Sequence, residues 1–217
     1  MKFMKAIVIG GTGATGKELV TQLLEDPGFD EITLLVRRPF FGQHPKLKEI
    51  VIDFENLKKY KDIIQGDVAF SCLGTTLREA GSKNAQWRVD HDYQLEFASI
   101  AKDNGVESFV LLSAFGANAK SSFFYNKMKG TLEQNIRELN FRQFVILHPG
   151  GIERPNSTRK GEKIAINFIK ALNAIGLFKG YEPLPTHRLA KAMIAAYFKF
   201  STGYKVVAVK EIKAISA

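Results

Sequence analysis

Three glycines, Gly10, Gly13 and Gly16, punctuate the loop Gly10-Gly11-Thr12-Gly13-Ala14-Thr15-Gly16, which follows the apolar run Ala6-Ile7-Val8-Ile9 and leads into a helical pattern. The spacing is GxxGxxG, and Gly11, Gly13 and Gly16 also satisfy GxGxxG. At a first strand-to-helix junction such glycines have separate tasks. The first permits a tight turn, the middle one lets backbone approach a pyrophosphate, and the last lets the helix pack closely, with phosphate charge at the helix N-terminus. The chemistry implied is dinucleotide binding through the backbone, with Thr12, Ala14 and Thr15 in the intervening positions. A glycine turn without a ligand is the competing reading, and the correct spacing at a β–α junction makes it the weaker one.

Arg37 and Arg38 stand at the end of the second predicted strand, where an NAD-binding protein ordinarily has an acid for the ribose 2′-hydroxyl. Arginine forks onto a 2′-phosphate that an acid would repel, so the pair points to NADPH in preference to NADH; two solvated loop arginines are the alternative. Asp53 and Phe54 end the third strand, with Asp53 placed to meet the adenine amino group or, alternatively, to cap the next turn. Leu73, Gly74 and Thr75 end the fourth and are expected along the cofactor's ribose and phosphates.

Tyr125 and Lys129 lie four residues apart in a predicted helix and therefore on one face. That spacing is not diagnostic alone, and a core tyrosine beside a solvated lysine would give it too. Position decides: the helix follows the fifth strand. Ser113-Ala114 closes that strand, and Ser121 and Ser122 stand just before the helix.

The elements that must position these residues alternate. Ala6–Ile9, Ile32–Val36, Ile50–Ile52, Val68–Leu73, Phe109–Leu112, Phe144–Leu147 and Val206–Val209 read as strands, mostly without polar alternation, as in strands covered on both faces. Helices are predicted over Lys17–Glu25, Leu57–Ile64, Ala85–Lys102, Phe123–Leu139, Ile164–Ile175 and Leu189–Phe200. The expected fold is α/β: a doubly wound, mostly parallel sheet, or Rossmann fold, in one domain over residues 1–217 with a small C-terminal substrate-side extension. The long segments Gly74–Asn84 and Gly150–Lys163 follow strands and are the expected substrate walls. Glu153, Arg154 and Arg159 in the second suit an anionic substrate, or are plain loop charges.

Taken together, the glycine loop, Arg37-Arg38, Asp53, Cys72-Leu73-Gly74-Thr75, Val89-Asp90-His91-Asp92-Tyr93, Phe109–Ser113 and Tyr125–Gly130 resemble the short-chain dehydrogenase/reductase superfamily. The likeness is to its atypical branch, with Tat-interactive-protein-like and NmrA-like members, and it covers nearly the whole chain. The Pro149-Gly150 turn matches the family's turn after its sixth strand, so Pro149 joins the expected cofactor-binding residues. The resemblance implies an NADPH-dependent reduction of a small carbonyl substrate with Tyr125, Lys129 and Ser113 as catalytic residues. Tyr125 would protonate the carbonyl oxygen, and Lys129 would hold the nicotinamide ribose and stabilise the tyrosinate. At ~5 Å and an effective dielectric of ~20 that stabilisation is about 3 kcal/mol. The family's carbonyl-polarising Ser or Thr usually stands where this chain has Ala114, which supports an alternative, an NADP(H)-binding redox sensor or regulator without turnover.

Composition bounds the remainder. The formal net charge of +9 is scattered among acids, so nucleic acid is not an expected partner. Cys72 is the single cysteine, which leaves no intramolecular disulfide, and the scattered histidines His91, His148 and His187 suggest no metal site. No apolar run is long enough for a secretory signal or a membrane span, and a cytoplasmic location is expected. Pairing of the two long helices between copies, giving a homodimer, is a further expectation.

Overall fold

The first strand, β1 (Met4–Ile9), shows how the core is built. Ala6 and Val8 face one hydrophobic cluster and Ile7 and Ile9 the other, all essentially inaccessible. The alternation is apolar on both sides, as a two-residue period requires of a strand covered on both faces. Strands β4 (Val68–Ser71), β5 (Ser108–Leu112) and β6 (Gln143–His148) repeat it: Phe70, Val110 and Val145 lie in one cluster, Ala69, Phe109 and Phe144 in the other. Each such Val, Ile, Leu or Phe contributes about 1.5–3 kcal/mol by burial.

The computed structural model describes residues 3–153 and 183–217. With β2 (Phe29–Val36), β3 (Leu47–Val51) and β9 (Gly203–Ala208), these strands form a seven-stranded sheet in the order β3-β2-β1-β4-β5-β6-β9, every adjacent pair parallel. Helices α1 (Ala14–Glu25) and α6 (Thr186–Lys199) cover one face. On the other face lie a 3-10 segment (Phe54–Ile63), α4 (Tyr93–Asp103) and α5 (Phe124–Glu138). The winding reverses between β1 and β4, which opens a crevice beyond their carboxyl ends, the usual ligand position in such sheets.

The doubly wound parallel fold is the one expected, with physical differences in detail. The predicted helix Leu57–Ile64 is instead the 3-10 segment, with non-helical backbone at Asn56. The predicted helix Ala85–Lys102 is α3 (Lys83–Trp87), a π turn (Arg88–Asp92) and α4 in succession. That wider turn lets sequence neighbours Asp90 and His91 both be buried, at 1% and 6% exposure. The segment Gly74–Asn84 contains a short helix, α2 (Leu77–Ala80), opened by a Thr76–Glu79 capping box. Val209 begins helix α7 (Val209–Ile215) rather than ending a strand. Strands β7 (Gly151–Glu153) and β8 (Pro183–Pro185) pair in parallel as a small second sheet beside the crevice, a pairing too short to read from sequence. The predicted helix Ile164–Ile175 lies outside the described residues, as do Arg154 and Arg159.

Candidate active site

The crevice is lined as two connected clefts. One, of about 690 Å³, takes in Gly10, Thr12, Gly13, Lys17, Arg37, Arg38, Phe54 and Tyr93; the other, of about 510 Å³, takes in Ala14, Thr15, Asp90, Ser113, Tyr125 and Lys129. Gly13, Leu73, Gly74 and Thr75 line both. Residues scattered over more than a hundred positions of sequence thus form one groove across the β1/β4 reversal.

Backbone geometry makes two of the loop glycines necessary. Gly10 has φ +76°, and a Cβ there would lie 2.3 Å from the Leu73 amide nitrogen. A Cβ on Gly16 would lie 2.1 Å from the Gly10 carbonyl oxygen, so α1 packs against the loop only through hydrogen. Helix α1 begins after Gly13 with no side-chain cap and no acid in its first turn. Its free amides and positive dipole end face the groove. Thr15 Oγ1 is buried there and has no hydrogen-bond partner among the described residues. An unsatisfied buried hydroxyl beside an uncapped helix N-terminus is what a phosphate oxygen would complete.

At the other end of the 690 Å³ cleft, Arg37 and Arg38 are exposed and make no ion pair among the described residues. Lys17, in the same wall, lies 4.2 Å over the Phe40 ring. Phe54 and Tyr93 give an aromatic surface, their ring centroids 5.7 Å apart. Tyr93 is held by its hydroxyl on Glu55, which also pairs with Arg88. Asp53 is brought near but not into the lining. Its carboxylate accepts the Glu55 amide at 3.0 Å and Asn56 Nδ2 at 2.6 Å, capping the 3-10 segment. The Asn56 side chain, then the Glu55 amide, hold it below the ordinary carboxylate range. Pro149 is buried outside the two linings, its carbonyl accepting the Phe115 amide at 3.0 Å.

In the second cleft Lys129 is almost wholly buried, and its Nζ lies 2.9 Å from Asp90 Oδ1, the two side chains 4% and 2% exposed. Asp90 Oδ2 accepts the Thr75 amide at 2.8 Å, so one carboxylate ties the loop after β4 to helix α5. Gly74 passes close above: a Cβ there would sit 3.3 Å from Asp90 Oδ1. Burial works against the Lys129 charge, but Asp90, with Tyr125 and Glu133 adding, outweighs it and raises Lys129 above the ordinary lysine range. Tyr125, one turn earlier, is 42% exposed in the same cleft. An isolated Lys129 cation would stabilise the tyrosinate by about 3 kcal/mol. With Asp90 at 2.9 Å the pair acts on Tyr125 more nearly as a dipole, and the field there is smaller.

Asp90 is the residue that reasoning from sequence missed. It lies in the run Val89–Tyr93, and the π turn there aims it at Lys129. Gly130 was likewise passed over: a Cβ there would meet the Ala119 amide nitrogen at 2.2 Å, so the loop before α5 rests directly on the helix. Ser113 lines the cleft, but its hydroxyl donates to Glu133, one turn beyond Lys129. Ser121 accepts the Phe123 amide at 3.1 Å, and neither Ser121 nor Ser122 lines the cleft. Cys72 borders both clefts, yet burial pushes its thiol up to about 12, which makes it packing rather than a nucleophile.

Fold and groove together define an NAD(P)-binding protein of the Rossmann class. The chain belongs to the NAD(P)H-binding family, whose model matches residues 10–174. It is 38% identical over 178 residues to Protein HTATIP2 of Rattus norvegicus, covering 79% of this chain and 73% of that protein. It is 35% identical over 167 residues to Protein FMP52, mitochondrial, of Saccharomyces cerevisiae, covering 73% and 71%. Among solved structures, the Bordetella bronchiseptica enzyme WbmH in complex with NAD+ superposes with a TM-score of 0.73 at 14% identity, covering 99% of this chain and 80% of that one. The UDP-N-acetylglucosamine 4-epimerase of Methanobrevibacter ruminantium gives 0.70 at 17% identity, covering 96% and 77%.

The relatives correct one expectation. Fungal FMP52 proteins at 34–37% identity are named mitochondrial, which conflicts with the expected cytoplasmic location. The inference from a single cysteine and the absence of a secretory core separates oxidising from reducing compartments. It has no power to separate one reducing compartment from another. Among the described residues, no helix is long and apolar enough to cross a membrane.

Proposed function

We propose that this protein is an NADPH-dependent oxidoreductase that reduces a small carbonyl compound. The observation that carries the reading is Tyr125 beside the buried Lys129–Asp90 pair, at one end of a groove whose other end holds two arginines with no ion pair among the described residues. Gly10, Gly13, Thr15 and the N-terminus of α1 would hold the pyrophosphate, and Arg37 and Arg38 the 2′-phosphate. Phe54 and Tyr93 would flank the adenine.

NADPH held in the groove by these residues would supply the hydride for the carbonyl carbon. Tyr125, exposed to the cleft, donates its phenolic proton to the carbonyl oxygen and recovers one from solvent. Lys129, kept charged by Asp90, orients the ribose hydroxyls and favours the tyrosinate left behind. Asp90 fixes Lys129 and the Thr75 amide in one geometry, so the cofactor loop and the proton donor are held in register.

The test is a titration of purified protein with NADPH and NADH by nicotinamide fluorescence, followed by a panel of aldehydes, ketones and quinones assayed for NADPH oxidation. Arg37→Ala with Arg38→Ala is expected to raise the NADPH Kd by about 10- to 100-fold and the NADH Kd by less than about twofold. Equal loss for both would refute the 2′-phosphate assignment. Gly16→Ala is expected to weaken both nucleotides by about tenfold or more, because the clash with the Gly10 carbonyl is backbone on backbone.

The bond from Ser113 to Glu133 favours a second reading, an NADP(H)-binding regulator or sensor without turnover, since the Ser113 hydrogen is already engaged and Ala114 offers none. NADPH binding with no oxidation of any panel member would select it.

A further inference from the structure

Ser113 is the first residue after β5 and only 5% exposed, yet it forms part of the cleft wall with Tyr125 and Lys129. Its single hydroxyl hydrogen is engaged away from the cleft, on Glu133 Oε1. The same oxygen lies 2.8 Å from His148 Nε2, and an ionised carboxylate can only accept there, which assigns the ring proton to that nitrogen. Glu133 belongs to α5 and His148 to the end of β6, so three separate elements fix this cluster. Glu133 is 8% exposed.

A hydroxyl has one hydrogen to donate and two lone pairs to accept with. With that hydrogen on a carboxylate, in a charge-assisted bond roughly twice as strong as a neutral one, Ser113 offers the cleft lone pairs alone. Turning the hydrogen toward a substrate carbonyl would break that bond and leave a buried carboxylate short of a donor. In the oxidoreductase reading Tyr125 serves the reacting oxygen, which leaves the Ser113 lone pairs for another polar group of the substrate.

We infer that Ser113 is a specificity-determining acceptor, and that the carbonyl substrates of this protein carry a hydroxyl on the carbon next to the carbonyl. The inference rests on the oxidoreductase reading. A hydroxyl there donates to Ser113, whereas a methyl or methylene group leaves the serine oxygen desolvated and unpaired; sites built to bond a substrate hydroxyl discriminate strongly on that ground.

The experiment compares hydroxyacetone with acetone in NADPH oxidation by the wild-type protein, Ser113→Ala and Ser113→Thr. The intrinsic activation of the hydroxyketone is common to all three and cancels. The wild-type kcat/KM ratio for hydroxyacetone over acetone should exceed that of Ser113→Ala by about tenfold or more, with Ser113→Thr near wild type. In parallel, saturation-transfer NMR on the same proteins should detect binding of 1,2-propanediol over 1-propanol, lost in Ser113→Ala. Reduction of both ketones with a ratio indifferent to Ser113 overturns the inference and leaves the oxidoreductase reading intact. Diol binding that depends on Ser113, with neither ketone reduced, removes the oxidoreductase reading and keeps the acceptor. Binding of neither alcohol together with reduction of neither ketone overturns both.

Discussion

Tyr125→Phe is expected to lower kcat by about 10²- to 10⁴-fold, the usual contribution of a positioned general acid, while the NADPH Kd changes by less than about twofold. The side chain is 42% exposed in the cleft, so loss of one phenolic oxygen removes a proton donor without opening a cavity. Thermal stability should therefore stay near wild type. The assays are initial rates of NADPH oxidation with any carbonyl the panel identifies, a fluorescence titration for affinity, and a melting curve. An unchanged rate would remove Tyr125 from the mechanism. A fall in rate matched by a fall in affinity would make it a binding group.

The second large effect falls on stability. Asp90→Ala is expected to destabilise the fold by about 3–5 kcal/mol, a Tm decrease of about 6–20 °C for a chain of this size, because it leaves the Lys129 ammonium buried without a partner. Lys129→Met alone should also destabilise, by stranding the Asp90 carboxylate. The double variant Asp90→Ala with Lys129→Met should lose much less than the sum of the two, since neither charge is then orphaned. Additive losses would show that the two side chains do not act as a pair. The pH dependence has a definite sign. Lys129 is raised above the ordinary lysine range, so its contribution is fully present below the unfolded-state value and is lost as pH rises through the folded one. The stability gap between wild type and Lys129→Met should hold through neutral pH and close only on the alkaline side.

These two residues mark where sequence reasoning stops. Tyr125 was legible because a tyrosine and a lysine four apart on a helix after the fifth strand form a local pattern. Asp90 was not, since its role depends on a π turn that no hydrophobic period announces. Asp53 shows the opposite weakness. Its place after β3 is a local fact, but whether its carboxylate meets a ligand or caps the next turn depends on neighbours, and here Asn56 and the Glu55 amide take it up.

What the sequence by itself determined about this protein is its layering and its cofactor class. Strands apolar at every position can only be covered on both sides, as Ala6, Ile7, Val8 and Ile9 are. Three spaced glycines at the first junction can only serve a close backbone turn, as the 2.1 Å approach of a Gly16 Cβ to the Gly10 oxygen bears out. Both properties belong to residues adjacent in the chain. Tertiary structure alone decided the bonding of the site: Asp90 on Lys129, Thr75 on Asp90, and both Ser113 and His148 on Glu133. Those are contacts between groups 15 to 39 residues apart. Their energies depend on distance and desolvation, which sequence spacing does not encode.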